Sequence, residues 1–367
     1  MATQSTQELV SVLRGCRVDK NAWEHSKNKW TICLRQDQAE DLNLSSEPLC
    51  VFVFFRNNVS KIFTLLHNKI HYNKTDLPRL YWLNQYSFTI FFLTMTLPEI
   101  RNHWENWASE FGTDLRATTK TPTIKQLEVD VLQRAIKKTE LWASRKNLSV
   151  LDIGCGNGYN SFAMSTFLPE CHFTGIDYVP AMIDNAKIIQ KNNPKYKDVS
   201  FFVGDALDLV SNTNLAAGYD VIFTDRCVIN LNPLEMQLKS FDQMVAKTNK
   251  GGYIMILENS VQTHARQNDL RVAVGLPPRP VMEFNLFIDE PAFIAHAEKS
   301  TKLVRIDDFG TLHDILLYVI TPMLNNGVVD YDHPVVKAAT ELCVSLPEKY
   351  ENQFGTFGQN RLWIFQK

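Results

Sequence analysis

The chain contains no Cys-x-x-Cys pair, no apolar run of membrane length and no surplus of positive charge, and each absence removes a class of function. Seven cysteines (16, 33, 50, 155, 171, 227 and 343) are scattered along it, which fits reduced thiols and argues against a zinc ribbon or a disulfide frame, so no metal site is expected. The longest apolar stretch, Phe88–Leu97, is broken by three threonines and falls short of the roughly 20 residues that span a bilayer. It reads as a buried strand, and no membrane insertion is expected. Met1–Leu9 is polar and lacks the basic-then-apolar layout of a secretory leader, so the expected location is cytoplasmic. With 38 Lys+Arg against 40 Asp+Glu, the net charge is −2, which disfavours nucleic acid as a partner. Internal repeats and low-complexity tracts are also lacking. What is present is 45% apolar sequence over 367 residues, an ordinary globular composition with length for about two domains.

Texture changes between residues 98 and 123. Residues 1–100 hold aromatic apolar runs, Cys50–Phe55 and Phe88–Leu97, around an amphipathic stretch (Val59, Ile62, Phe63, Leu66) with Asn57 and Asn58 as caps; they read as an accessory α+β domain. Residues 101–123, aromatic and then threonine-rich, read as a linker or lid. From 124 to 367 the pattern alternates. Apolar runs at Ser149–Ile153, His172–Ile176, Val199–Val203, Asp220–Thr224 and Tyr253–Leu257 are separated by helical stretches such as Ala181–Gln190 and Leu234–Lys247. This alternation predicts an α/β fold, a doubly wound, mostly parallel Rossmann-like sheet covered on both faces. Lys302–Phe309 and Arg361–Gln366 are expected as antiparallel edge strands.

The run Leu151-Asp-Ile-Gly154-Cys-Gly156-Asn-Gly158-Tyr follows the first of these strands and opens a helix. Glycines at alternate positions allow a tight turn and close approach of a ligand at the carboxyl ends of the strands. Asp177 ends the second strand, where a carboxylate accepts from both hydroxyls of a ribose. Asp205, followed by Ala206, ends the third, placed to accept from an exocyclic adenine amine, with Tyr178 and Met182 to flank the ring. Each acid alone is equally readable as a helix cap; three ligand-facing sites at successive strand ends are not.

Together with Gly175-Ile-Asp177-Tyr, Gly204-Asp205-Ala, Asp220-Val-Ile-Phe-Thr-Asp-Arg226 and Gly251-Gly-Tyr-Ile-Met-Ile-Leu-Glu258, that loop resembles the class I S-adenosylmethionine-dependent methyltransferases, over residues 110 to 260. The resemblance implies S-adenosyl-L-methionine as cofactor. Gly154, Gly156 and Asp152 would face its methionine part, Asp177 the ribose and Asp205 the adenine. The segment Thr224–Leu231, with Asp225 on the cofactor side, would face both methionine and acceptor. The methyl group is already activated, so the protein has mainly to align an acceptor and exclude water. A neutral oxygen acceptor benefits from a base; an amine or a carboxylate does not.

Arg226, Glu258 and His264 are the candidate catalytic residues. Arg226 is read as a fork for a carboxylate or phosphate on acceptor or cofactor, or as an ion pair with Asp225 or Glu258; Glu258 and His264 are read as bases, and His313 as packing. The sequence Thr-Asp-Arg-Cys after the fourth strand is not the Asn/Asp-Pro-Pro-Tyr/Phe that grips a nucleobase amine. Residues 262–299, with Pro277-Pro-Arg-Pro280 and Phe284, Phe287 and Phe293, are expected to cap the acceptor site. The expected function is methyl transfer to a small molecule, with oxygen slightly favoured over nitrogen. Rival readings are RNA or protein methylation recruited by the N-terminal domain, and a cofactor-binding subunit without catalysis.

Overall fold

The computed structural model describes residues 95–119, 121–347, 350 and 353–367, together with the backbone of residues 30–33 and 50–53. The chain divides into two units, Met1–Ile90 and Phe91–Lys367. In the first, β1 (Trp30–Cys33) and β2 (Cys50–Val53) pair antiparallel, with Trp30 opposite Val53 and Cys33 opposite Cys50. The amphipathic stretch expected at 59–66 and most of the strand expected at 88–97 lie outside the described residues. Leu97 itself opens helix α1 (Leu97–Phe111). The Thr96 N–H donates to the Glu99 carboxylate at 2.8 Å, and Pro98 suits a first turn in which a missing N–H costs nothing.

In the second unit, β3 (Ser149–Ile153), β4 (His172–Asp177), β5 (Ser200–Val203), β6 (Tyr219–Asp225), β7 (Thr248–Asn259), β8 (Lys302–Asp307) and β9 (Asn360–Gln366) form one sheet in the order β5-β4-β3-β6-β7-β9-β8. The five strands from β3 to β7 are parallel neighbours, and β9 runs antiparallel to both β7 and β8. This is the doubly wound sheet expected. One expectation fails: β9 is an interior strand, not an edge. Leu362, Trp363, Ile364 and Phe365 are all buried, so they need cover on both faces, whereas β8 keeps Lys302 and Val304 exposed at the true edge.

Helices α2 (Pro122–Lys137), α3 (Tyr159–Phe167), α4 (Pro180–Asn192), α5 (Leu234–Lys247), α6 (Val261–Ala273), α7 (Glu290–Ala297), α8 (Thr311–Ile315) and α9 (Pro334–Ser345) accompany the sheet. Side chains alternate between its faces. Val150, Phe223, Met255 and Ile364 join Leu132, Ile136 and Phe162 in one core, while Leu151, Ile222, Ile254 and Trp363 join Phe241 and Phe293 in the other. The order of the strands reverses between β3 and β6. Crevices open beyond the carboxyl ends of parallel strands at such a switch point, which here means beside Gly154 and Arg226.

Candidate active site

A cavity of about 550 Å³ occupies that crevice, within the size range of ligand pockets. Its floor is the glycine loop. Gly154 and Gly156 have φ of +73° and +53°, a region that penalises any side chain. A Cβ on Gly154 would stand 2.4 Å from the Cys227 sulfur, and one on Gly156 would stand 2.4 Å from a Thr118 methyl. The loop is therefore wedged between the turn after β6 and the segment after α1. Asn157 ties it to that segment, its amide donating to the Asp114 carbonyl at 2.9 Å.

Asp177 lies on the cavity wall. One carboxylate oxygen accepts from Gly156 N–H and the other from Val179 N–H, both at 2.9 Å. The side chain thus closes its own turn into α4 and still has lone pairs for a ligand. Burial, outweighing those hydrogen bonds, pushes its pKa up to about 6. Asp205 is built the same way, accepting from Leu207 N–H at 2.8 Å, so both acids cap turns and face the cavity. Tyr178, Met182 and Ala206 line the wall beside them.

Asp152 does not reach the cavity. It shares the strand face of Val150, where it is buried under α3 and accepts from the Ser161 hydroxyl at 2.7 Å; burial pushes its pKa up to about 7. Glu258 is also off the wall. Its carboxylate accepts from the backbone N–H groups of Cys227, Val228 and Ile229 at 3.0, 2.9 and 3.3 Å. It holds the turn after β6 in shape and has no contact with the cavity through which to take a proton from an acceptor. His264 packs its ring edge-on to Phe287 at 5.1 Å, and burial, aided by Arg279, pulls its pKa down to about 4. Neither expected base lines the cavity.

Arg226 does line it, with Asp225 and two residues the sequence reading passed over, Lys125 and Asn160. Lys125, in the first turn of α2, has its ammonium 2.5 Å from Asp225 and 2.8 Å from Glu128. The Asn160 amide donates to the same Asp225 oxygen at 2.7 Å. Arg226 Nε lies 3.0 Å from Glu128 and 3.6 Å from Asp225, and the Asn360 amide donates to Glu128 at 2.7 Å. Burial opposes every one of these charges. The two carboxylates outweigh it at Lys125, whose pKa is raised, and the two cations outweigh it at Asp225, whose pKa is lowered. At Glu128 burial prevails and the pKa is raised.

The roof comes from α1 and from the 262–299 segment. Trp104 and Trp107 face the cavity with Met282 and Phe284, and the Trp104 indole N–H donates to Asn230 at 3.0 Å. Thr118, Thr119 and Thr121 also line the wall, while Lys120 lies outside the described residues. Only part of the expected cap is a cap. Phe287 and Phe293 are buried in the sheet core, and Phe111 packs against Trp107 rather than lining the cavity. The opposite wall, from Asp314, Tyr318, Gln359 and Asn360, had no signature in the sequence.

Residues 144–300 match the model of a methyltransferase domain. The chain carries a methyltransferase domain of the class I, S-adenosylmethionine-dependent type. The cofactor of this domain class is S-adenosyl-L-methionine. Among curated proteins, it is 29% identical over 99 residues to malonyl-[acyl-carrier protein] O-methyltransferase of Bacillus anthracis, covering 27% of this chain and 34% of that protein. The chain thus spans about a third of the length of the curated relative it matches. Solved structures similar to the methyltransferase domain and its surroundings include a complex of the Haloferax volcanii Trm112 methyltransferase activator with a methyltransferase (14% identity, TM-score 0.47, 72% of this chain and 96% of that one). Another is the N-methyltransferase NodS of Bradyrhizobium japonicum with S-adenosyl-L-homocysteine (14%, TM-score 0.42, 73% and 98%). Among the described residues no helix is long and apolar enough to cross a membrane.

Proposed function

We propose that this chain transfers a methyl group from S-adenosylmethionine to a small molecule, with oxygen favoured over nitrogen as the acceptor atom. One observation carries the reading: a single cavity joins the Asp177 and Asp205 end to the Arg226 end under an aromatic roof. The residues present fit the cofactor. Two buried acceptor atoms on the cavity residues, Asn160 Oδ1 and Asp225 Oδ1, accept no hydrogen bond from the protein, the second facing only the Arg226 guanidinium at 3.6 Å, and buried acceptors without donors are costly unless a ligand supplies them. An ammonium has three. Asp225 and Asn160 would hold the amino group of the methionine part, with Gly154 and Gly156 against its chain. Asp177 would accept from the ribose hydroxyls and Asp205 from the adenine amine, with Tyr178, Met182 and Ala206 along the ring.

When bound, the cofactor supplies an activated methyl on a sulfonium. The chain's own residues position the acceptor and exclude water, a task for Trp104, Trp107 and Phe284. Preference for oxygen is supported by the O-methyltransferase activity of the curated relative and by the cationic Arg226 on the wall. The test is to incubate the full chain with methyl-labelled S-adenosylmethionine and a cell extract separated at about 1 kDa. Label should enter the low-mass fraction. Label confined to RNA or protein would contradict a small-molecule acceptor.

A further inference from the structure

We propose that the acceptor is a carboxylic acid with an apolar body, and that Arg226, Tyr318 and Gln359 receive its carboxylate on the C-terminal wall of the cavity. The inference rests on the proposed methyl transfer and names its substrate class.

Arg226 is one of two non-glycine residues with positive φ among the described residues, at +54°. Such a conformation costs of order 1 kcal/mol or more and persists where the surroundings enforce it, commonly at functional sites. Here they do. Its N–H donates to the Leu257 carbonyl at 2.9 Å and its carbonyl accepts from the Asn230 amide at 3.0 Å. Its nearest counter-charge, Glu128, is shared with Lys125, and the side chain keeps 23% of its surface exposed.

Tyr318 comes to the same wall from a π-helical turn, Leu316–Ile320, an irregularity often found at functional sites. The Arg279 guanidinium stacks 3.4 Å from the centre of its ring, and its carbonyl accepts from Arg271. Burial pushes the phenol pKa up, so the hydroxyl stays a donor. Arg279 also donates to Gln359 Oε1 at 2.9 Å, which orients that amide and leaves its NH₂ as a donor. The wall thus offers a guanidinium, a phenol and an amide.

Glu258 and His264 are off the wall, and Asp314, which lies on it, is engaged by His313 at 2.8 Å and by Gln359 N–H at 2.6 Å. Other proton acceptors of the cavity, among the described residues, lie away from this wall: His103 is on the α1 roof, stacked on Phe284 at 4.5 Å, and Asp177 and Asp205 are at the glycine-loop end. A carboxylate needs no base, being already the ionised nucleophile. Its oxygen forms the new C–O bond as the C–S bond breaks, the electron pair stays on sulfur, and the products are a methyl ester and S-adenosylhomocysteine with no proton released. Trp104, Trp107, Met282 and Phe284 offer apolar contact to the rest of the molecule.

The test uses the full chain saturated with S-adenosylhomocysteine, titrated calorimetrically with octanoate and phenylacetate, and with octylamine and octanol as controls. The same four compounds are then incubated with methyl-labelled S-adenosylmethionine and treated with alkali, which releases label from methyl esters as volatile methanol but not from N-methyl or ether products. The acids should bind and give alkali-labile label; the controls should not. Arg226→Gln should weaken acid binding by roughly 30- to 100-fold, as for loss of a charged hydrogen bond, read on protein kept saturated with S-adenosylhomocysteine because Arg226 also faces Asp225 at 3.6 Å. Because that change also breaks an ion pair, Tyr318→Phe provides a milder probe, expected to cost about five- to tenfold. Label in the amine or the alcohol, failure of either acid to bind while S-adenosylhomocysteine binds, or full acid affinity in both variants would overturn the proposal. Failure to bind S-adenosylhomocysteine would instead bring down the methyl-transfer reading beneath it.

Discussion

Lys125→Ala is expected to lower the unfolding free energy by about 3–5 kcal/mol, the cost of breaking a buried ion-pair cluster and leaving Asp225 and Glu128 with Arg226 alone. The ammonium touches both Asp225 and Glu128 and is only 4% exposed, so solvent cannot take its place. In the second unit such a loss corresponds to roughly 8–15 °C in melting temperature. The sign with pH follows from the same charges. Without the ammonium, Asp225 and Glu128 bind protons more readily in the folded than in the unfolded chain, so the deficit shrinks as pH falls toward 5 and is greatest above neutrality. Denaturant melts at pH 5 and pH 8 check both statements. A change below about 1 kcal/mol at pH 8 would mean that the cluster is hydrated, contrary to the burial of Lys125, Asp225 and Glu128.

Asp177→Ala is expected to weaken S-adenosylhomocysteine binding by about 1–3 kcal/mol, since the carboxylate is the proposed seat of the ribose hydroxyls. The wild-type protein should show a linked pH effect. With its pKa pushed up to about 6, Asp177 is largely protonated at pH 5 in the free protein, and the bound state requires the ionised form. Affinity should therefore fall about tenfold from pH 7.5 to pH 5. Folding responds in the opposite sense: between the unfolded value of 3.8 and the folded value near 6, rising pH ionises the unfolded chain first, and this group's contribution to stability declines. Asp177→Asn should flatten the binding profile over that range. Unaltered affinity in the alanine variant, or a pH dependence that survives in the asparagine variant, would remove Asp177 from the ribose site.

The parts of this site that are legible in sequence are those a short stretch of chain determines by itself. Gly154, Gly156, Asp177 and Asp205 sit at strand ends, and the turns they make need only their own neighbours. The sheet was legible for the same reason, because apolar runs separated by helical stretches have one economical way to bury both faces. What could not be read depends on parity and distance. Asp152 stands next to the loop in sequence, but the pleat turns it to the face under α3. Glu258 ends a strand as Asp177 does, yet three N–H groups of the turn after β6 take its carboxylate. Lys125 and Glu128 are polar residues of α2 with no local signal of a site, and only the fold, by placing Asp225, Arg226 and Asn360 against them, makes them part of one cluster. Tyr318 and Gln359 carried no local signal. The turn that presents Tyr318 is irregular, and its partner Arg279 is 39 positions away in the 262–299 segment.

Titration calorimetry of the full chain with S-adenosylmethionine, S-adenosylhomocysteine and, as a control, NAD tests the central claim most directly. Micromolar binding of both sulfur compounds at a stoichiometry of about one, with none of NAD, is the predicted result; preference for NAD, or no binding of either sulfur compound at pH 7.5, would contradict it.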